Sequence, residues 1–555
     1  MLNVSQKVDT TTLSSLAKVF PDEELKDAAY VKGSALLDES YSFQVAYRSA
    51  QLWKGVSVRV QSELAPYITL YEVGLAPSEL PNHADHDEHC LRTAPGLYPD
   101  PLYPLSEAKV DVMAGQWRSV FVEVNLDDQV KPGTYEIKLS FEEQGQELGA
   151  AAFQLEVIGS KLPAQTLTHT EWFHADCLAT YYKVDALSDE HWRLIRSFVR
   201  TAVEHGMNMI LTPLFTLPLD TAVGGERPTV QLVGVEVTGQ DQYGFDFSSL
   251  DRWIDMCIEE GVSYIEFSHL FTQWGVKHAP KIVATVNGEE KRIFGWDTDA
   301  MGEAYGQFLS QFLPQLKAYI VEKEIADRCY FHVSDEPSLE HLGNYEAASK
   351  RLREGLGDDV TFIDALSNID FYERGIVEHP IPANDHITPF IEHGVDPLWT
   401  YYCVSQRQKV SNRFFCMPSA RNRVLGIQMY KFNVKGFLHW GYNFWYTQFS
   451  TRAIDPYRVT DSGRAFPSGD PFLVYPGEDG PIGSLRLKVM REALQDMRAL
   501  QLLEELAGRE AAMALVEKQV DEPITFSSYP REAAWLLGLR EAVNNAIKQS
   551  IHSHL

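Results

Sequence analysis

Up to about Lys161, apolar and polar positions alternate with the period of two expected of half-buried strands. The clearest runs are Val56-Ser57-Val58-Arg59-Val60, Trp117 to Val124, Thr134 to Phe141 and Ala151 to Val157. The third of these follows Asp127 to Gly133, a turn-rich stretch ending in Pro132-Gly133. Short strands in series, with no strong helix between them after the first 30 or so residues, predict an antiparallel β-sandwich over residues 1–162.

From Leu167 the rhythm becomes strand, then helix, repeatedly. Strands are predicted at Thr168 to Phe173, Asn208 to Leu211, Ser263 to Phe267 and Arg328 to Val333. Further ones fall at Val360 to Ala365, His386 to Phe390, Leu398 to Val404 and Gly436 to Trp440. Between them Asp189 to His205 (capped by Ser188), Ser249 to Glu260, Ala300 to Glu322 and Leu339 to Glu354 have helical periodicity. About eight strands alternating with helices predict a (β/α)8 TIM-like barrel over residues 163–484, with a doubly wound sheet as the alternative. No GxGxxG or GxxxxGK[ST] follows any strand, which weakens nucleotide-binding versions of that sheet. Residues 485–555 read as a C-terminal helical region, and Gly508 lies just beyond a helix over Leu485 to Glu505. Long loops at 221–247, 271–297 and 443–483 are where a barrel would build its site.

Charge narrows the partners. The chain has 49 Lys and Arg against 77 Asp and Glu, a net charge of −28. Such a surface repels phosphate backbones and anionic lipid, so nucleic acid and membrane are not expected partners, and neutral substrates fit better. Apolar residues at 45% and charged ones at 23% exclude disorder, collagen and coiled coil. Six scattered cysteines without a CxxC pair read as reduced thiols. No signal peptide is visible at Met1 to Leu25, and no stretch approaches the roughly 18 apolar residues of a membrane span, so the expected address is cytoplasmic.

Barrel enzymes place their chemistry at the C-terminal ends of strands. The sharpest such end is Cys329-Tyr330-Phe331-His332-Val333-Ser334-Asp335-Glu336-Pro337, an apolar strand running into two adjacent carboxylates. Pro337 is expected to hold Glu336 extended, so the two acids point differently and take unequal pKa values. The structural alternative is that Ser334 and the acids only neutralise the N-terminus of the next helix. The last strand, Gly436 to Tyr446, sets five aromatics behind His439, more than core packing of Phe437 and Phe444 requires, and suggests a wall for the apolar face of a sugar. The first ends in Glu171-Trp172-Phe173-His174-Ala175-Asp176-Cys177, again polar groups among rings. The pairs Tyr181-Tyr182 and Tyr401-Tyr402 are weaker candidates. His83, His86, His89 and Cys90 resemble a metal cluster, but their spacing matches no zinc pattern, and a solvated loop is the preferred reading. HExxH and GxSxG are absent, and neither metal nor cofactor is called for.

The segments Trp172-Phe173-His174-Ala175-Asp176-Cys177, His332 to Pro337 and Gly436 to Asn443 resemble glycoside hydrolase family 123. The likeness continues through Gly469-Asp470-Pro471-Phe472-Leu473-Val474-Tyr475-Pro476-Gly477, Ser484-Leu485-Arg486 and Arg491 to Asp496. It implies a β-sandwich, a catalytic barrel and β-N-acetylgalactosaminidase activity by substrate-assisted retention. Glu336 would then be the general acid and later the base, while Asp335 would orient the 2-acetamido group. From strand-end position, Trp440 and Tyr442 are candidates for stacking and enclosing the acetamide, and His174, Asp176 and His439 for sugar hydroxyls. Trp172 and Tyr402 complete the candidate binding set. The expected partner is a small oligosaccharide or glycoside, and oligomeric state is not legible. Two other readings stay open: a retaining glycosidase with a separate nucleophile such as Glu266 or Asp364, and a carbohydrate-binding protein without turnover.

Overall fold

Two five-stranded sheets open the computed structural model, which describes residues 7–553 except 274, 338 and 519. One is antiparallel throughout, in the order Asp9–Ser14, Ser40–Arg48, Arg118–Asn125, Ile68–Ser78, Gly96–Pro104. The other runs Lys32–Leu37, Gln146–Lys161, Gly133–Glu143, Trp53–Gln61, Lys109–Val112. Its first pairing is parallel, a departure from the expected antiparallel arrangement. No hairpin joins strands so far apart in sequence, so no turn dictates their direction. Between the sheets, Phe43, Val45, Val120 and Val122 meet Val58, Ile137, Leu139 and Phe153, with Phe43 stacked on Phe153 at 4.3 Å. Each side chain of this size contributes about 1.5–3 kcal/mol on burial.

The central sheet has eight parallel strands: β1 Thr168–Glu171, β2 Met209–Thr212, β3 Tyr264–Phe267, β4 Cys329–Phe331, β5 Thr361–Ala365, β6 His379–Ile381, β7 Trp399–Tyr401 and β8 Gly436–His439. Their spatial order is β6-β5-β4-β3-β2-β1-β8-β7. Tyr401 N–H donates to Pro382 O at 3.1 Å and Asn384 N–H to Tyr401 O at 2.8 Å, so β6 meets β7 and the barrel is nearly closed. A doubly wound sheet, whose edges stay open, does not describe it. Inside, Met209, Leu211, Ile363, Ile381, Trp399 and Leu438 fill the lumen.

Two expectations need correction. The sixth strand is His379–Ile381 rather than His386 to Phe390; Thr388–Glu392 is a short helix with Pro389 in its first turn. The fixed φ of Pro389 suits a helix start. The loops at 221–247 and 271–297 contain a four-stranded sheet, Gln242–Asp246, Gly234–Gly239, Ile282–Val286 and Glu289–Phe294.

The helix Leu485–Ala507 begins where Ser484 Oγ accepts from Leu487 N–H at 3.1 Å and ends at Gly508, whose φ of +87° suits glycine. It joins the layers. Arg486 clasps Asp100 of the first sheet at 2.8 and 2.9 Å, and Lys488 reaches Glu123. Among the described residues no helix is long and apolar enough to cross a membrane.

Candidate active site

Side chains from five strand ends and three loops converge on a cavity of about 120 Å3 at the C-terminal face of the barrel. Trp172 and His174 follow β1, Asp335 and Glu336 follow β4, Ala365 ends β5, Tyr401 ends β7 with Cys403 and Val404 beyond it, and Leu438 and Trp440 come from β8. Leu219 and Asp220 from the loop after β2, Gln273 from the loop after β3, and Phe466 complete the lining.

Glu336 is not extended. Its φ is +46°, a region that residues with a β-carbon seldom occupy. Its N–H donates to Ala365 O at 3.1 Å and its carboxylate accepts from the Tyr401 hydroxyl at 2.9 Å, so neighbouring strand ends override the local preference set by Pro337. Asp335 beside it accepts from Gln273 Nε2 at 2.5 Å, and Gln273 Oε1 is in turn held by Asp220 N–H. Burial pushes both carboxyls up, and Glu336 adds its charge against Asp335. Like charges this close, away from water, retain one proton between them. The Gln273 amide and the nearby His332 cation favour the anion on Asp335, whereas Glu336 accepts only from a hydroxyl.

Behind the pair lies a buried ion network. Although burial opposes charge there, the carboxylates of Asp364 and Glu266 push His332 up to about 10, with Nε2 at 2.6 Å from Glu266 and Nδ1 at 3.5 Å from Asp364. Glu266 also accepts from the Trp172 indole at 2.8 Å and from Thr170. Asp364 accepts from the N–H of Val333 at 3.1 Å and from the Tyr345 hydroxyl. His269 stacks on His332 at 4.2 Å, and burial with that cation keeps it neutral. Atoms of His269, His332 and Asp364 lie close enough to be considered as metal ligands. They do not fit an ion: nearly parallel stacked rings send their in-plane lone pairs side by side, and His332 is a cation committed to two carboxylates.

The sequence candidates divide by strand face. Trp172, His174, Trp440, Asp335 and Glu336 line the cavity; Asp176, Tyr402, His439 and Tyr442 do not. Asp176 sits in the helix Ala175–Tyr182, bound to Arg227 at 2.7 and 2.9 Å and to Tyr446. Tyr402 donates to Asn422 at 2.7 Å, and Tyr442 to Phe198 O at 2.9 Å. His439 Nδ1 accepts from Arg413 at 2.7 Å. These four are spent on the fold. His174 donates to Trp440 O and accepts from Arg227, leaving no free nitrogen for a hydroxyl. The indole of Trp440 donates to Asp470 at 3.0 Å, so both cavity tryptophans turn their N–H groups into the wall and offer ring carbons. Sequence reasoning missed Gln273, Asp220 and Phe466, which lie in loops without periodicity, and chose Tyr402 where alternation carries Tyr401 inward. The loop with His83, His86 and His89 forms no metal cluster among the described residues; Asp87 within it is clasped by Arg421 at 2.7 and 3.0 Å.

A proton-sharing carboxyl pair beside indole rings that line a cavity, at the top of a barrel, is the equipment of glycoside cleavage. The comparisons agree. The chain is similar to a family 123 glycoside hydrolase from Clostridium perfringens, whose structure was described for glycolipid glycan hydrolysis. The two superpose with a TM-score of 0.74 at 16% identity, over 99% of this chain and 98% of that one. A β-glucuronidase from Ruminococcus gnavus (TM-score 0.32, 8% identity, 82% of this chain and 65% of that one) is too distant to carry an argument. So is a putative glycoside hydrolase from Bacteroides vulgatus (TM-score 0.30, 9% identity, 86% and 79%). No functionally curated protein matches the chain in sequence. The family model described as glycoside hydrolase 123, catalytic domain, matches residues 172–503, and the chain belongs to that glycoside hydrolase family.

Proposed function

We propose that this glycoside hydrolase removes terminal β-linked N-acetylhexosamine, with N-acetylgalactosamine the preferred sugar, by a substrate-assisted retaining mechanism. The observation that carries the reading is the adjacent pair at the end of β4, with an amide donor on Asp335 and a hydroxyl donor on Glu336. Glu336 protonates the glycosidic oxygen while the acetamido oxygen attacks the anomeric carbon. Asp335, kept charged, accepts the acetamide N–H and stabilises the positive charge of the oxazolinium. Glu336, now an anion, then takes a proton from the water that opens this ring, and the configuration is retained. One carboxylate placed against developing charge in a dry site is worth about 3–4 kcal/mol.

A conventional nucleophile has little room. Glu266 and Asp364 lie outside the cavity lining, with their oxygens bonded to His332 and other protein donors. The remaining carboxyl in the lining is Asp220, where burial raises the pKa to about 6 against the donated Phe449 N–H. The test is hydrolysis of aryl β-N-acetylgalactosaminide, its gluco epimer and the 2-hydroxy galactoside. The expected result is cleavage of acetamido sugars only, with kcat falling about 10²–10³-fold in Asp335→Asn. Cleavage of the 2-hydroxy galactoside, lost in Asp220→Asn and trapped by a 2-fluoro sugar, would replace the acetamide with an enzyme nucleophile. Binding without turnover of any of the three would support the carbohydrate-binding reading instead.

A further inference from the structure

The loop carrying His83, His86, His89 and Cys90 contributes nothing to the cavity, yet it is fastened to the barrel. Besides the Arg421 clasp on Asp87, Arg407 reaches Asp85 at 2.6 Å and Lys409 N–H donates to Asp87 at 2.6 Å. Leu91 N–H donates to Cys416 O at 2.7 Å, which lays the backbone at residue 90 beside that at residue 416. Two thiols meet there. Cys90 Sγ is 3.4 Å from Cys416 Sγ, and Asn82 Nδ2 approaches the two sulfurs at 3.7 and 3.6 Å. A bond would draw them together by only about 1.4 Å, to the usual S–S length. Among the described residues no third ligand joins the pair to make a metal site.

We propose that Cys90 and Cys416 are a disulfide-forming pair that covalently clamps the N-terminal sheets to the barrel. Cys90 is half-buried and Cys416 buried, so an oxidant meets Cys90 first. The Cys416 thiol, donating to Cys90, holds Cys90 down at about 6 against burial, with the Asn82 amide assisting. With a small-molecule disulfide as oxidant, Cys90 gives its proton to solvent and its thiolate attacks one sulfur. One thiolate leaves and is protonated, and a mixed disulfide remains on Cys90. Cys416 then loses its proton and attacks Cys90 Sγ, expelling the second small thiol. Two protein thiols and one small disulfide become one protein disulfide and two small thiols.

The cross-link would close 326 residues of chain, a large constraint on the unfolded state. It would also anchor the far end of a barrel segment that begins at Cys403 and Val404 in the cavity wall and carries Arg413, which holds Glu171 at 2.7 Å. Before and after incubation with glutathione disulfide, the whole chain is blocked with N-ethylmaleimide, digested and mapped by mass, and its thermal midpoint is compared with that of dithiothreitol-reduced protein. The expected result is a peptide linking Cys90 to Cys416, a fall from six titratable thiols to four, and a midpoint raised by about 5 °C. Cys90→Ser abolishes all three, whereas Cys257→Ser, on a barrel helix, retains the link. Cys90 lies on a loop, so that variant tests the bond even where Cys416→Ser fails to fold. Six thiols after oxidation, or a stable glutathione adduct on Cys90 with Cys416 still blocked as a free thiol, overturns the proposal. A linked chain that melts together with the reduced one overturns the clamp.

Discussion

Glu336 is held at φ +46° by Ala365 and Tyr401, and a side chain kept in that region costs about 1–3 kcal/mol that the surrounding contacts must offset. The return is a proton held close to Asp335. With both pKa values raised by burial, the monoanion used by the proposed mechanism persists above the ordinary carboxylate range, and the rate should fall as pH rises through the upper titration of the pair. With an activated leaving group that needs no proton, Glu336→Ala should lose this descending limb; its persistence in a pH–rate profile would assign the proton elsewhere. Gln273→Met removes the donor that favours the Asp335 anion. Its acidic limb should therefore move to higher pH and kcat should drop about tenfold with KM little changed, which steady-state kinetics across pH would show. The acids were legible as a pair because an apolar strand ran straight into them. Gln273 was not, because a lone amide in an irregular loop has no pattern until its partner is placed 62 residues away.

Strand alternation decides which member of each adjacent pair faces the cavity. On β7, Tyr401 meets Glu336 while Tyr402 turns out toward Asn422; on β8, Leu438 and Trp440 face the cavity and His439 faces Arg413. The two tyrosines therefore make opposite predictions. Tyr401→Phe removes a bond to the Glu336 carboxylate, so the alkaline limb should shift upward with the melting point nearly unchanged. Tyr402→Phe leaves Asn422 short of a partner and should cost about 1–2 kcal/mol in denaturant unfolding with kinetics unchanged. Alternation was available in the sequence, but its phase was not, since either face of a strand buried on both sides is equally apolar. Asp176 shows the other limit: the strand reading ended too late, and the helix Ala175–Tyr182 carried that side chain to Arg227.

At the scale of the whole chain, the helix Leu485–Ala507 ties the layers together through charges rather than apolar contact alone. Burial opposes it, but Arg491 and Lys488 hold Glu123 far below the usual carboxylate range. Arg423 and Arg540 likewise depress Asp496, bridging a barrel helix and the last helix, Ala533–Ser553. A carboxylate depressed in the folded state contributes stability that is complete above its unfolded pKa and lost as pH falls toward its folded one. The thermal midpoint should therefore decline from about pH 5 downward, and less steeply in Glu123→Gln, which starts from a lower midpoint. A parallel decline in both would place the acid-labile groups elsewhere.

Periodicity by itself determined the order of architectures, the positions of seven of the eight barrel strands to within a few residues and the carboxyl pair, because each is written in neighbours along the chain. The remaining strand was misplaced onto the apolar run that enters the helix Thr388–Glu392. Only closure of the barrel decided that Tyr401 supports Glu336 and that Glu266 and Asp364 serve His332. Docking of the sheets likewise set Cys90 against Cys416. Those contacts join residues tens to hundreds apart, so their identity depends on which faces the folded layers bring together, and no local pattern encodes that.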